Sequence, residues 1–318
     1  MTTAILVVLV LGGVVLRLHQ LGAAAFFTFD EELFVRPAHG YLYGRPDGND
    51  HPPLGKLVLA IGMLLFGENP VGWRFSSAVI GLHNVFIAGW LGSELFGNRR
   101  AGAFAAAAVA ADGFFLAYSR AGLLDGTLVC LVLWSVLAAA RARTVLGVLE
   151  SVVLVGLAAT VKWSGAFAVF PAAATILALG KVPRATILLF GLFPLLHAVL
   201  WMAALGLTGR PNDPRALWEH AAQLFRHHQA LGTRHNDLAS PWYSWIALHH
   251  PIVVKLSHHG LRSRYASTVA NLALWAVGTI LVVGVPLAAG AAAGVGRIAR
   301  RWPRAGTTRA VAWLLSTW

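Results

Sequence analysis

Charge is what this sequence has least of. Only 12% of its 318 residues are Asp, Glu, Lys or Arg, about half the share of a soluble domain, while 57% are hydrophobic. With a mean hydropathy of +0.67, the chain cannot present a soluble surface, and a polytopic membrane protein is expected instead. Cysteine is nearly missing too. Cys130 stands alone in an apolar run, which excludes an internal disulfide and a thiolate metal cluster. There is no His-Glu-x-x-His, no internal repeat, no low-complexity tract and no segment that reads as a soluble domain. Acidic residues number 13 against 25 basic ones, a net charge of +12. The basic residues fall mostly in short clusters between apolar runs, the pattern of lipid head groups and orientation signals, so no nucleic acid is expected as a partner.

What is present is a series of apolar runs. Residues 4–16 lead into Arg17 without a basic n-region or a clear cleavage site, and read as a first span rather than a signal peptide. Residues 54–66 are apolar but too short to cross about 30 Å of hydrocarbon, and follow two prolines that suit a helix start; they are placed at the interface. Longer runs cover 75–93, 101–111 continuing towards Tyr118, 123–140, 145–161, 165–180, 185–207 and 266–296. The expected fold class is therefore all-α, one integral membrane domain over 1–318 with about eight transmembrane helices. Simple alternation puts the basic clusters Arg99/Arg100, Arg141/Arg143, Lys181/Arg184 and Arg297/Arg300/Arg301/Arg304 on the cytoplasmic side. It leaves two extracytoplasmic loops, 18–74 and 208–265, and a basic cytoplasmic segment with a short apolar tail at 297–318, too short to cross.

Chemistry concentrates in the first loop. Phe29-Asp30-Glu31 sets two carboxylates beside a span, and His51-Pro52-Pro53-Leu54-Gly55-Lys56 follows. A carboxylate there can remove a proton from an acceptor while nearby cations hold an anion. Arg120, with Asp112 or Asp125, is a candidate anion site, against a plain ion pair at a helix hairpin. Lys162 closes another run on the same side, where snorkelling alone would account for it. The second loop holds eight of the 13 histidines, including His227-His228, but its spacing suits polar contacts better than a metal site. Pro241-Trp242-Tyr243-Ser244-Trp245 fits a sugar-stacking surface or an interfacial aromatic belt equally well.

Taken in order, Phe29-Asp30-Glu31, His51 to Lys56, Gly72-Trp73-Arg74-Phe75, Ser119-Arg120 with Leu124-Asp125, Lys162-Trp163-Ser164-Gly165 and the loop from His227-His228 to Pro241-Trp242 resemble the protein O-mannosyltransferases over Arg17 to about Trp275. The resemblance implies a GT-C glycosyltransferase fold with extracytoplasmic catalytic loops, in which a polyprenyl-phosphate mannose donates its sugar to Ser or Thr hydroxyls of exported proteins. It makes Asp30 the catalytic base with Glu31 beside it, and it associates Arg120 and the histidine region with the lipid phosphate. With the residues' own chemistry, the candidates for holding donor phosphate and sugar are Arg120, Asp125, His51, Lys56, Arg74, Lys162, His227, His228 and Trp242. No cofactor is expected, and a divalent metal has no support in the sequence. The family's eukaryotic luminal insert is missing, which points to a bacterial plasma-membrane enzyme. Asn271 lacks the proline the family places after it, and the further spans of family members are missing, so the chain reads as truncated at its C-terminus and of doubtful activity alone. A lipid-linked transferase for another sugar or acceptor, such as aminoarabinose or a glycolipid, is the alternative. A transporter fits less well, since the charges lie at span ends and no repeat is evident.

Overall fold

The computed structural model describes residues 2–45, 50–232, 253–259 and 262–267. Eleven α-helices occur among them: α1 (Thr2–Leu18), α2 (Glu31–Leu42), α3 (Leu54–Phe66), α4 (Pro70–Phe96), α5 (Arg99–Ala111), α6 (Gly113–Ser119), α7 (Asp125–Arg141), α8 (Val145–Val161), α9 (Val169–Leu179), α10 (Phe193–Leu207) and α11 (Pro214–Gly232). Two 3-10 segments, Trp163–Ala168 and Arg184–Leu192, lead into α9 and α10. The second loop, besides α11, carries an antiparallel pair, β1 (Val253–His259) and β2 (Arg262–Ser267), an addition to the helical fold that the apolar runs do not announce.

Helix boundaries follow local chemistry. Asn69 begins α4 by accepting from the Val71 and Gly72 amides at 2.9 and 3.2 Å, with Pro70 in the first turn where its missing N–H costs nothing. Gly97 ends it in the left-handed conformation, φ +63°. Asn98 then caps α5 and Asp112 caps α6. That second cap turns the run from 101 to Tyr118 into two helices bent by 64°, where a single continuous span was expected. Gly72 lets α3 and α4 close tightly, since a Cβ there would lie 1.9 Å from the Gly67 carbonyl oxygen.

By length and composition, Pro70–Phe96 (27 residues) and Arg184–Leu207 (24 residues) can each cross a bilayer, and the bent α5–α6 pair makes a third candidate. Shorter apolar helices at Leu54–Phe66, Val145–Val161 and Trp163–Leu179 accompany them. The chain is a helical membrane protein; the described helices do not fix the expected count of about eight spans. The region 18–74 is no simple loop, because it folds into α2, α3 and the first turn of α4. The expected span at 266–296 and the tail at 297–318 fall almost entirely outside the described residues.

The site stands on one apolar cluster. Phe34, Val35 and Ala38 of α2 pack on Leu59, Ala60 and Met63 of α3, on Ala121, Leu123 and Leu124 before α7, and on Val161 at the end of α8. Four separate stretches of sequence thereby deliver their polar ends to one place. A second cluster of Trp201, Leu205 and Leu224 seats α11 on α10.

Candidate active site

The two carboxylates of the acidic pair have different surroundings. Glu31 is completely buried and accepts five hydrogen bonds: from the Thr28 amide (2.7 Å) and hydroxyl (2.9 Å), from Arg74 Nε and Nη2 (2.7 Å each), and from the Gly122 amide (2.7 Å). Arg74, 2% exposed, gives its remaining N–H groups to the carbonyls of Leu21, Ala24 and Phe26. All five guanidinium donors are spent inside the protein. Expected as a ligand of the donor, Arg74 instead ties α4 to the segment between α1 and α2, and Glu31 ties both to the turn before α7.

Asp30 sits at the N-terminus of α2 without capping it, half-buried, and its carboxylate has no hydrogen bond among the described residues. Its pKa is raised, first by burial; Lys162 opposes the shift, and Asp125 and Asp50 reinforce it. Two ion pairs therefore lie within its field. Lys162 Nζ meets Asp125 Oδ1 at 2.8 Å, and Lys56 Nζ, fully buried, meets Asp50 Oδ1 at 3.0 Å. The other oxygen of Asp50, Oδ2, is buried with no hydrogen-bond partner among the described residues.

Rings connect these pairs to α11. His51 lies 5.8 Å from the Phe34 ring and 5.4 Å from that of His228, and His228 lies 6.0 Å from Trp163. Lys162 Nζ is 5.9 Å from the centre of the Phe34 ring. Burial, with Lys162, Lys56 and His228 nearby and Asp50 opposing, pushes His51 down to about 4, so its imidazole is neutral at physiological pH. The ring of His227 stands edge-on to that of His228, 5.7 Å away. Beyond Trp163 an open cavity of about 620 Å³ continues along α11, lined by Trp218, Ala222, Phe225 and Arg226.

The structure thus gathers Asp30, His51, Lys56, Asp125, Lys162 and His228. Arg120 is engaged elsewhere. Its Nη2 donates to the His19 carbonyl at 2.9 Å and its Nη1 to that of Leu16, so it clamps the C-terminal end of α1. Of the expected partners, Asp125 pairs with Lys162, and Asp112 accepts from the Phe115 amide. Trp242 lies outside the described residues. Among the described residues no group of three or more His, Cys, Asp or Glu is placed to hold a metal.

Sequence reasoning missed Asp50, His220 and Tyr118. Asp50 had a visible signal, an acid directly before His51-Pro52-Pro53. His220, 4% exposed and accepting from Trp201 Nε1 at 3.2 Å, had none, because seven other histidines share its loop.

Residues 50–206 match the family model described as dolichyl-phosphate-mannose-protein mannosyltransferase. The polyprenol-phosphate-mannose–protein mannosyltransferase of Mycolicibacterium smegmatis is 27% identical over 303 residues, covering 74% of this chain and 57% of the relative. The protein of that name from Mycobacterium tuberculosis is 29% identical over 259 residues, 60% of this chain and 50% of the relative. That from Corynebacterium glutamicum is 37% identical over 75 residues, 24% of this chain and 14% of the relative. The chain spans about half the length of the first two. The matched region, just under half of the chain, holds the Asp50–Lys56 and Asp125–Lys162 pairs together with Arg74, and over it the chain is similar to the protein mannosyltransferase family.

Proposed function

We propose that this protein transfers mannose from a polyprenyl-phosphate mannose to Ser or Thr hydroxyls of exported proteins, at the extracytoplasmic face of a bacterial plasma membrane, by one inverting displacement with Asp30 as general base. The observation that carries the reading is the isolation of the Asp30 carboxylate, half-buried and unpaired among the described residues, beside two lysine–aspartate pairs. The leaving phosphate is already a weak base and needs positive charge rather than a proton. Lys162 and Lys56 supply that charge, and neutral His51, with His228 beside it, offers ring nitrogens to phosphate or sugar. Asp125 holds Lys162 in place rather than meeting the anion itself.

In the transfer the acceptor O–H gives its proton to Asp30, the acceptor oxygen bonds to the anomeric carbon, and the bond from that carbon to the phosphate oxygen breaks with its electron pair. A second carboxylate is unnecessary for such a step. Glu31 serves by holding the backbone that presents Asp30. The apolar cavity along α11 has the character a prenyl chain requires. The test is transfer of radiolabelled mannose from the lipid donor to a Ser/Thr peptide in membranes containing the chain. Label appearing on peptide in the wild type and vanishing in Asp30→Asn is expected; label passing to glycolipid instead would replace the acceptor class.

A further inference from the structure

Besides the charged groups, Asp30 has a second set of neighbours that carry no charge at all. Phe29, directly before it, is 40% exposed, and its ring centre lies 6.2 Å from that of Tyr118. Tyr118 in turn stacks on Phe114 at 4.2 Å with 22° between the planes. Phe29 holds a left-handed backbone conformation, φ +49°, which strains a bulky L-residue and persists only where its surroundings impose it. They do so here. Thr28 on one side is bonded through both its amide and its hydroxyl to Glu31 on the other, so the two residues between them are pinned, with the Phe29 ring turned outward. The Tyr118 phenol lies in the field of both Asp30 and Asp125, which places it beside the base as well.

An inverting displacement requires the acceptor to approach the anomeric carbon from the side opposite the departing phosphate. A surface serving the acceptor must therefore adjoin the base without adding cations of its own. We propose that Phe29, Tyr118 and Phe114 form the surface on which the acceptor polypeptide lies, packing against apolar side chains that flank the target Ser or Thr. This rests on the reading of the chain as a protein mannosyltransferase. The rings take no part in bond making; they position the hydroxyl and set a preference for apolar over charged flanking residues.

The experiment uses the full chain in lipid nanodiscs with polyprenyl-phosphate mannose and two acceptor peptides that differ only in having apolar or charged residues beside the Ser. Tyr118→Ala and Phe29→Gly should each raise KM for the apolar-flanked peptide about tenfold and narrow its advantage over the charged one, with the donor KM unchanged. Tyr118→Phe should behave as wild type, since the ring and not the hydroxyl bears the contact. Glycine accepts φ +49° without strain, so Phe29→Gly separates loss of the ring from loss of the fold. Unchanged acceptor KM in both variants, or donor KM rising in parallel, would overturn the surface while leaving the transferase reading intact. A wild-type chain that labels neither peptide would overturn that reading, and the surface with it.

Discussion

Asp30 and Glu31 are consecutive residues, yet Glu31 is fully buried with five hydrogen bonds while the carboxylate of Asp30 has none among the described residues. Successive side chains at a helix start diverge by about 100°, which is enough to bury one and leave its neighbour half-buried. The buried member fixes the backbone, and the backbone fixes its half-buried neighbour.

Asp30→Asn should lower transfer by about two to four orders of magnitude, the range for a positioned general base. Its stability should not fall. Burial raises the Asp30 pKa, so the ionised form is disfavoured by folding, and a neutral amide removes that penalty at any pH above the raised value. Transfer assays paired with thermal unfolding in detergent check both parts; a destabilised variant would show that the carboxylate has an unseen structural partner.

The acid limb of the pH–rate profile should lie above the ordinary carboxylate value of 3.8, because Asp30 must lose its proton before it can act and its pKa is raised. Replacing Lys162 by Met removes a cation that opposes that rise, so the limb should move further towards neutral pH. A limb that stays in place would separate Lys162 from the base.

Glu31→Gln should destabilise the protein by about 3 to 5 kcal/mol, the cost of stranding one charge of a buried pair. Arg74→Lys should rescue little, because an ammonium cannot replace five N–H donors in a fixed fork. Unfolding midpoints measured alongside donor KM distinguish this from a ligand role. Any folded Glu31→Gln fraction should keep wild-type donor affinity.

Arg120→Ala should loosen the junction between α1 and α6 and lower turnover without favouring either substrate, since two of the guanidinium N–H groups hold the Leu16 and His19 carbonyls. The discriminating numbers are the two KM values. A selective rise for the donor would return Arg120 to the phosphate site.

Stability should fall as pH drops from about 6.5 towards 4. Burial first, then Lys162 and Lys56 at His51 and Arg210 and Lys56 at His220, push both imidazoles from 6.5 down to about 4. The unfolded chain therefore takes up protons across that window while the folded one does not; the stabilisation is whole above 6.5 and lost on acidification. His220→Asn keeps an acceptor for Trp201 Nε1 and should flatten part of the slope in thermal melts recorded across the range.

How far the site could be read beforehand differs residue by residue. The order of motifs brought Asp30, His51, Lys56, Asp125 and Lys162 to notice, and the structure brings them together. Arg74 and Arg120 came from the same motifs and are engaged with backbone instead. An arginine in a span-end motif looks alike whether it serves a phosphate or a row of unsatisfied carbonyls, because the same five donors suit both.

The amino-acid sequence alone determined that this is a helical membrane protein, since apolar runs with so little charge admit few other solutions, and local caps such as Asn69 and Asp112 set where helices begin. Its short polar motifs, in their order between those runs, carry the resemblance to the protein mannosyltransferases as well. Only the tertiary structure decided which of two adjacent carboxylates is buried and bonded, which lysine meets which aspartate, and that His228 of α11 reaches His51 from 177 residues away. Those outcomes depend on how α2, α3, α7 and α8 pack around Phe34, Leu59, Leu124 and Val161, and on which polar ends that packing leaves without partners. Helix periodicity places a side chain on a face; what that face meets is settled by the neighbours it buries against.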